Sequence, residues 1–585
     1  EQKPKTAAII GGGFIGLEMA ENLVERHVDV TVIDLANQIL APLDFEMAKL
    51  AQNEMENHGV RFELETVVSE FKDQGRTLIL KGGKMVQADM VIMAIGVRPE
   101  NALAVSSGLK IGPRGHILTT KTLQTIDARD DSVVEDIYAI GDAIEVYDYI
   151  DDSKTAIALA WPANRQGRLV ADHIHGKPIE YKGSLGSSVV KIFDLVAAST
   201  GNNEKILMRK KTPYKYVYVT RGNHAGYYPD AQDITIKLIF DPKEGKILGA
   251  QAIGGIGTEK RIDVIATAIK GGLTIEDLPD LELCYAPPFS SAKDPVNIAG
   301  YAAMNHREGI YESVTYSEID DIIARGGFVV DARTTLEHDL HHIEGSVNIP
   351  MADIRHHLEK LPEDKTTPIY VYCNVGHTAY LAIQSLRSFG YTKLYSLAGG
   401  FKLYMAVKHF KANTPMPEMH NPEERKVVAN MDNPVTKIKI DACGLQCPGP
   451  IMATFKAVET LKDGDLIDIE ATDSGFGRDI EKWCLSTGNT LVKNEKDGKI
   501  YRATVRKGGV ASTELNVPKS NENTTIVLFS GDLDKALASL IIAQGARAMG
   551  KKVTIFATFW GLNLLRKPQH VKVKKPFVEK MFGWM

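Results

Sequence analysis

The sequence predicts a multidomain chain of α/β and α+β units, and three observations lead there. At 585 residues the chain exceeds what one hydrophobic core supports, and a rule of about 150 residues per domain gives roughly four units. A glycine-rich turn joins an apolar strand to a helical pattern near the start of the chain. The strand–loop–helix pattern then restarts near Tyr311, and again beyond a stretch carrying Pro415, Pro417, Pro422 and Pro434.

Composition narrows the classes of function. A hydrophobic content of 44% and a charged content of 24% are ordinary for globular domains. A net charge of −5 argues against a general nucleic-acid or anionic-membrane binder. Five cysteines, Cys284, Cys373, Cys443, Cys447 and Cys484, are too few for a disulfide framework. They fit a reducing, cytoplasmic setting with individually reactive thiols. The longest apolar stretch, Val553 to Leu565, is broken by Gly561 and Asn563 and falls short of the ~20 residues a membrane helix needs. No membrane span or signal peptide is expected.

The first unit carries the clearest motif. Ala7–Ile10 is an apolar strand, Gly11-Gly-Gly-Phe-Ile-Gly16 a turn, and Leu17, Ala20, Leu23 and Val24 a helical stripe; Val30–Ile33 is a second strand ending at Asp34. This is the dinucleotide-binding βαβ pattern. Gly11 permits the tight turn, Gly13 lets the backbone approach the pyrophosphate, and Gly16 lets helix and sheet pack closely. Phe14 and Ile15 start the helix, whose free N–H groups favour phosphate. Asp34 can accept from both ribose hydroxyls and would repel a 2′-phosphate; no arginine follows it in Leu35–Gln38. NADH is therefore favoured over NADPH.

Further on, Ala88–Pro99 is expected to be a buried strand closing in a turn at Gly96, and Asp136-Ile-Tyr-Ala-Ile-Gly-Asp142 an apolar strand delivering Gly141 and Asp142 at its C-terminal end. Taken alone, Asp142 could equally be a helix N-cap. Together and in this order, the motifs resemble the pyridine nucleotide-disulfide reductases, which carry two dinucleotide sites. The resemblance implies that the strand ending Ala-Ile-Gly-Val-Arg-Pro closes the NADH domain. It also implies that Gly141 and Asp142 bind the ribityl chain of FAD, and that the helix opened by Ala160-Trp-Pro-Ala-Asn-Arg-Gln-Gly167 packs near the flavin. The family's first FAD motif and its redox cysteine are expected upstream of Glu1, so the chain is expected to be truncated at its start.

Residues 180–300 resemble the dimerisation domain of these enzymes, with an alternating strand Ile234-Thr-Ile-Lys-Leu-Ile-Phe240 and a helix from Lys260. Two segments, His224–Pro229 and Cys284–Pro295, are similar to the coenzyme A disulfide reductase subgroup. That resemblance implies a homodimer in which Tyr228 and Tyr285 reach the active site of the partner subunit. A tyrosine hydroxyl, with an ordinary pKa of about 10, can hydrogen-bond or protonate a leaving thiolate. The alternative is that both tyrosines simply pack an interface.

Beyond Tyr311, Phe328-Val-Val-Asp331-Ala-Arg333, Ile369-Tyr-Val-Tyr-Cys373-Asn-Val-Gly-His-Thr378 and Leu397-Ala-Gly-Gly-Phe401 resemble a rhodanese domain. Cys373 is expected in a loop curling toward a helix N-terminus, where backbone N–H groups stabilise a thiolate or persulfide. Asp331 and Arg333 are expected to pair beneath it. The loop ends in Thr378 where such loops usually carry arginine, which weakens a reading as a thiosulfate enzyme. Lys437–Pro450, with Cys443 and Cys447 before a helix, resembles the TusA-like sulfur carriers, and Cys447 is the persulfide-bearing candidate. A zinc site is the rival, but no histidine lies between these cysteines and Cys484, so four ligands are hard to assemble and no metal is expected. Thr525–Ser530, a helix and Val553–Phe559 resemble the start of a flavodoxin-like DsrE-like domain, expected to be partial.

The expected organisation is an NADH-binding Rossmann-type domain over residues 1–112, part of an FAD domain over 113–178 and a dimerisation domain over 179–306. A rhodanese α/β domain follows over 311–412, a linker over 413–434, a two-layer TusA-like domain over 435–508 and the partial DsrE-like domain over 522–585. The resemblance implies an NADH-dependent flavoprotein reductase of persulfides or polysulfides such as coenzyme A persulfide, releasing sulfide, with tethered sulfur carriers. Coenzyme A or its persulfide would be the bound substrate, and sulfur-relay proteins would be partners. The alternatives are a coenzyme A disulfide reductase, or a sulfurtransferase that uses the reductase part as a dimer scaffold.

Overall fold

A computed structural model describes residues 4–226, 228, 230–408, 437–443, 449–459, 461–471, 476–487, 489–497, 500–508, 523–528 and 552–557. The chain divides into two compact units, Glu1–His420 and Asn421–Met585. Among the described residues no helix is long and apolar enough to cross a membrane. The expected linker at 413–434 lies outside the described residues.

The first unit opens with a parallel four-stranded sheet in the order Arg61–Glu63, Asp29–Ile33, Thr6–Ile10, Met90–Met93. Its two central strands, Thr6–Ile10 and Asp29–Ile33, are short β-branched or alanine-rich runs buried on both faces, as parallel sheets require; Ala8, Ile9, Val30 and Val32 are fully enclosed. The helix Phe14–Val24 turns Leu17, Ala20 and Leu23 onto this sheet, a stripe at helical spacing. The expectation of a buried strand over 88–99 needs correction. Met90–Met93 pairs with Thr6–Ile10, while Ile95 and Val97 beyond it are 70% and 71% exposed. The strand Val133–Tyr138 pairs with Gln124–Ile126 in a two-stranded sheet and is largely exposed as well. Met90–Met93 is apolar in sequence, but too few neighbours cover it among the described residues. Val133–Tyr138 carries Glu135 and Asp136 in its middle, so the expectation of an apolar strand there needs correction too.

A five-stranded antiparallel sheet follows, ordered Ser188–Ile192, Leu195–Gly201, Ile247–Gly254, Asp233–Phe240, Lys215–Gly222. The helices Thr258–Gly271 and Pro295–Arg307 pack Ile262, Ile265, Val296 and Ala299 onto it. Within the most apolar strand of this sheet lies Lys237, fully buried. Its ammonium contacts Asp44 at 2.9 Å, Glu46 at 2.6 Å, and Glu204. The rings of Tyr216 and Tyr218 lie 4.7 and 5.4 Å away. Burial by itself would push this lysine down, but Glu46, Asp44 and Glu204 outweigh it and hold the pKa above the ordinary value. Asp44 and Glu46 belong to the start of the helix Phe45–Asn57 of the dinucleotide domain, so one cation ties two sheets together. Gln251 of the second sheet completes the joint, exchanging two hydrogen bonds of 2.6 Å with Asp44.

A third sheet is parallel throughout and ordered Glu312–Val314, Leu394–Leu397, Ile369–Tyr372, Phe328–Asp331, Val347–Asn348. It docks on the rest of the unit through Asn53 to the Ala406 carbonyl (2.9 Å), Lys402 to Asp233 (2.6 Å) and Asn305 to the Tyr380 hydroxyl (3.4 Å).

The second unit contains a four-stranded mixed sheet, ordered Lys437–Ala442, Leu466–Ala471, Ile500–Arg506, Thr490–Asp497. The helices Gly449–Glu459 and Phe476–Thr487 form its other layer, burying Val458, Phe476 and Ile480. The strands Asn523–Leu528 and Lys552–Ala557 pair in parallel.

Replacing Lys237 by Met should leave Asp44, Glu46 and Glu204 facing one another without a counter-charge. Removing one partner of a buried ionic group costs about 3–5 kcal/mol. A drop of that size is expected in the urea unfolding of the first unit followed by tyrosine and tryptophan fluorescence; an unchanged midpoint would show that the joint carries little of the stability.

Candidate functional site

The three fingerprint glycines of the loop, Gly11, Gly13 and Gly16, differ in what surrounds them. Gly11 adopts φ +115°, and a Cβ there would lie 2.1 Å from the Ala94 carbonyl oxygen. A Cβ on Gly16 would lie 2.0 Å from the Gly11 carbonyl oxygen. These two positions are closed by the protein's own backbone. Gly13 differs: a Cβ there would meet nothing within 4 Å. It is also the N-cap of the helix, with no side-chain cap, so the first N–H groups remain available to an anion. Phe14 packs on the core and Ile15 is exposed. The Asp34 carboxylate accepts from the Gly12 N–H at 2.6 Å and the Ala36 N–H at 2.8 Å, which fixes it beside the loop. Gly96, at φ +95°, lies in the segment after Met90–Met93, two residues from Ala94. Sequence-selected Gly11, Gly13, Gly16 and Asp34 thus converge, and the open space at Gly13 with the fixed acid at Asp34 fits NADH.

Gly141 and Asp142 begin a turn after Val133–Tyr138. Gly141 has φ +77°, and its N–H donates to Oε1 of the buried Gln166 at 2.7 Å. Gln166 belongs to the helix Ala160–Ile174, so that helix sets the turn. The Asp142 carboxylate stands exposed, with no hydrogen-bond partner among the described residues. An acid held this way fits a polyol chain such as the ribityl group of FAD.

The segments bearing Tyr228 and Tyr285 are brought together, and the residue responsible is Arg261. Its guanidinium, 2% exposed, binds Asp294 at 2.8 Å, the Asn223 carbonyl at 2.8 Å and the Gly257 carbonyl at 3.0 Å. Ala225 N–H also donates to the Pro287 carbonyl at 3.4 Å. Tyr228 and Tyr285 are both exposed, as is Cys284. Arg261 reads in sequence as one more charge on the amphipathic helix Thr258–Gly271, and nothing local marks it as buried.

Cys373 lies at the end of Ile369–Tyr372 and is 3% exposed. Its Sγ accepts the Gly376 N–H at 3.2 Å, and Gly376, at φ +97°, caps the helix His377–Ser388. The loop is fixed from behind. Phe401 and Lys402 donate to the carbonyls of Cys373 and Asn374 at 2.8 and 3.0 Å. A Cβ on Gly400 would lie 2.6 Å from those same oxygens. Beneath, Asp331 and Arg333 pair at 2.6 Å as expected. Tyr372 donates to Asp331 at 2.9 Å, His338 lies 3.0 Å from it, and Arg333 stacks 3.9 Å over Phe401. Burial alone would raise Asp331, but Arg333 outweighs it and holds the carboxyl below its ordinary range.

In the second unit Cys443 is exposed and its N–H donates to Asp441 at 3.0 Å; the same carboxylate pushes the thiol up. Burial pushes Cys484 up to about 12, which suits an inert core thiol. Cys447 lies outside the described residues.

Two outcomes follow from this geometry. Gly13→Ala should fold normally yet weaken NADH by about tenfold or more, because only the bound pyrophosphate needs that space; Gly16→Ala should lower the melting temperature. Fluorescence titration and thermal unfolding of both variants distinguish these effects. Asp331→Asn should destabilise the rhodanese-like domain by about 3 kcal/mol by leaving Arg333 unpaired. Since the folded carboxyl is depressed, the pair's contribution is complete above pH about 4 and is lost as pH falls through the folded value. Wild-type and variant urea midpoints should therefore differ at neutral pH and converge in acid.

The chain matches five family models. The pyridine nucleotide-disulphide oxidoreductase model matches residues 1–167 and its dimerisation domain 187–295. The rhodanese-like domain matches 315–406, the sulfurtransferase TusA model 438–507, and the DsrE/DsrF/DrsH-like family 520–585. Coenzyme A disulfide reductase of Staphylococcus aureus (strain JH9) is 36% identical over 297 residues, 50% of this chain and 65% of that protein; the chain thus spans just under two thirds of these curated relatives. The crystal structure of reduced Bacillus anthracis CoADR-RHD is 50% identical with a TM-score of 0.66, covering 70% of this chain and 72% of that one. An NAD-dependent persulfide reductase from A. fulgidus is 35% identical with a TM-score of 0.63, covering 69% and 72%. With its rhodanese-like, TusA and DsrE-like regions, the chain belongs to the pyridine nucleotide-disulphide oxidoreductase family.

Proposed function

We propose that this chain is part of an NADH-dependent, FAD-containing reductase of persulfides or polysulfides, acting as a homodimer, with Cys373 and Cys447 as tethered sulfur carriers. The observation that carries this reading is the pairing, within one compact unit, of an NADH-type glycine loop and a cysteine cradled for sulfane sulfur. Bound NADH and FAD would supply the two electrons. The balanced reaction is R–S–SH + NADH + H⁺ → R–SH + H₂S + NAD⁺. The chain's own residues divide the work. Gly13 and Asp34 would hold NADH, and Gly141 and Asp142 would hold the ribityl chain. The Cys373 loop would carry the sulfur that is delivered for reduction. Carriage on the same chain keeps such a sulfur at an effective concentration of about mM near its acceptor.

Reduction of coenzyme A disulfide is the second reading. It is favoured by the two tyrosine-bearing segments that Arg261 holds together, and by the name of the Staphylococcus aureus relatives. Tyr228 and Tyr285 would then donate to the leaving thiolate in the partner subunit.

The two readings separate in one assay of NADH oxidation and sulfide release, run with a low-molecular-weight persulfide and with coenzyme A disulfide. The persulfide reading expects one sulfide per NADH, and Cys373→Ser should lower persulfide turnover several-fold more than disulfide turnover. NADH oxidation by the disulfide with no sulfide from any persulfide would favour the second reading.

A further inference from the structure

Within the first unit, a cavity of about 350 Å³ lies between the antiparallel sheet and the rhodanese-like domain. One wall is the edge strand Lys215–Gly222 with the helix Pro295–Arg307. The facing wall carries Val375, Gly376 and His377 of the loop that follows Cys373. Cys373 is itself buried and does not line the cavity, but its Sγ lies 3.2 Å from the Gly376 nitrogen of that wall. Arg221 and Lys293 both line it, and no carboxylate does. Neither cation has an ion-pair partner among the described residues; Lys293 rests 5.8 Å from the ring centre of Tyr301. Burial and the charge of Arg221 hold His377 below its ordinary range, so the field of Arg221 reaches the sulfur loop.

This arrangement answers a gap in the loop itself. Cys373-Asn-Val-Gly-His-Thr378 contains no permanent cation, and Arg333 beneath it is buried and already paired with Asp331, so an anion arriving at Cys373 finds no uncommitted cation in the loop. Arg221 provides one from the neighbouring domain, and its planar fork matches a carboxylate or phosphate. Size favours an organic molecule over a small inorganic anion, since pockets for small organic ligands start at about 300 Å³. Tyrosines from both walls supply apolar and aromatic contact for its body.

We propose that this cavity admits an anionic organic persulfide to Cys373, with Arg221 and Lys293 recognising its carboxylate or phosphate. The proposal rests on Cys373 being a sulfane-sulfur carrier. The Cys373 thiolate attacks the outer sulfur of R–S–SH and a new S–S bond forms. The original S–S bond breaks and its electron pair leaves on RS⁻. The proton stays on the transferred sulfur, giving Cys373–S–SH with no net oxidation or reduction.

The test loads the full chain with glutathione persulfide (anionic), cysteamine persulfide (cationic) or thiosulfate, and follows the gain of one sulfur atom on the Cys373 peptide by mass spectrometry. Arg221→Ala should raise the glutathione persulfide concentration for half-maximal loading about tenfold, the scale of a lost charge-assisted contact. Arg221→Lys should fall between wild type and Arg221→Ala, and Lys293→Ala should show a smaller rise. Cysteamine persulfide should load wild type and Arg221→Ala alike. NADH titration of each variant serves as the control for folding. Equal half-maximal concentrations for wild type and Arg221→Ala overturn the proposal while leaving the carrier role of Cys373 standing. Thiosulfate loading as efficient as glutathione persulfide overturns the organic assignment. A wild-type Cys373 that accepts sulfur from no donor overturns the carrier role and the proposal with it.

Discussion

A single buried ammonium governs how the first unit is assembled. Lys237 rises from the middle of an otherwise apolar strand and is met by carboxylates at the start of a helix in the dinucleotide domain. Two sheets of unlike topology, one parallel and one antiparallel, meet here, and apolar contact between them is non-directional. Lys237 heads a set of polar contacts across the joint that includes Gln251 with Asp44 and Lys191 with Glu21. Charge and hydrogen bonding impose a unique registration. The helix Phe45–Asn57 that receives this lysine also receives the rhodanese-like domain, through Asn53 and the Ala406 carbonyl. The positions of the glycine loop and of the sulfur loop therefore refer to one helix.

Arg261 does for the tyrosine-bearing segments what Lys237 does for the sheets. Both are long cations enclosed in protein, and each satisfies several acceptors at once, the arrangement under which burying charge is tolerated. The apolar layers supply most of the folding free energy. These two side chains select which arrangement of the layers is adopted.

The βαβ unit, the parallel sheet around Cys373 and the pairing of Asp331 with Arg333 were legible in the sequence, because each rests on local rules: strand period, glycine at positive φ, and charges two residues apart. What was not legible depends on contacts distant in the chain. Lys237 was visible as an odd charge in Ile234–Phe240, but its carboxylate partners lie 33 to 193 residues away in sequence. Gln166 appeared in a motif with no assigned part until its bond to the Gly141 N–H fixed one. The apolar run at 90–97 misled, since hydrophobicity reports a preference for burial and cannot supply the neighbours. The cavity beside Cys373 could not be anticipated at all, because its walls come from two domains.

The backing of the Cys373 loop has a consequence for how such a site can be altered. The sulfur is positioned by main-chain groups: the Gly376 N–H in front, and the carbonyls of Cys373 and Asn374 pressed against Gly400 behind. None of these depends on a side chain that substitution could remove. The adjoining cavity, by contrast, is lined by residues with long side chains, among them Arg221, Lys293 and Tyr301. Reactivity and choice of partner are thus carried by separable parts of the molecule. The walls can be redesigned for a different sulfur donor while the nucleophile stays where the backbone puts it.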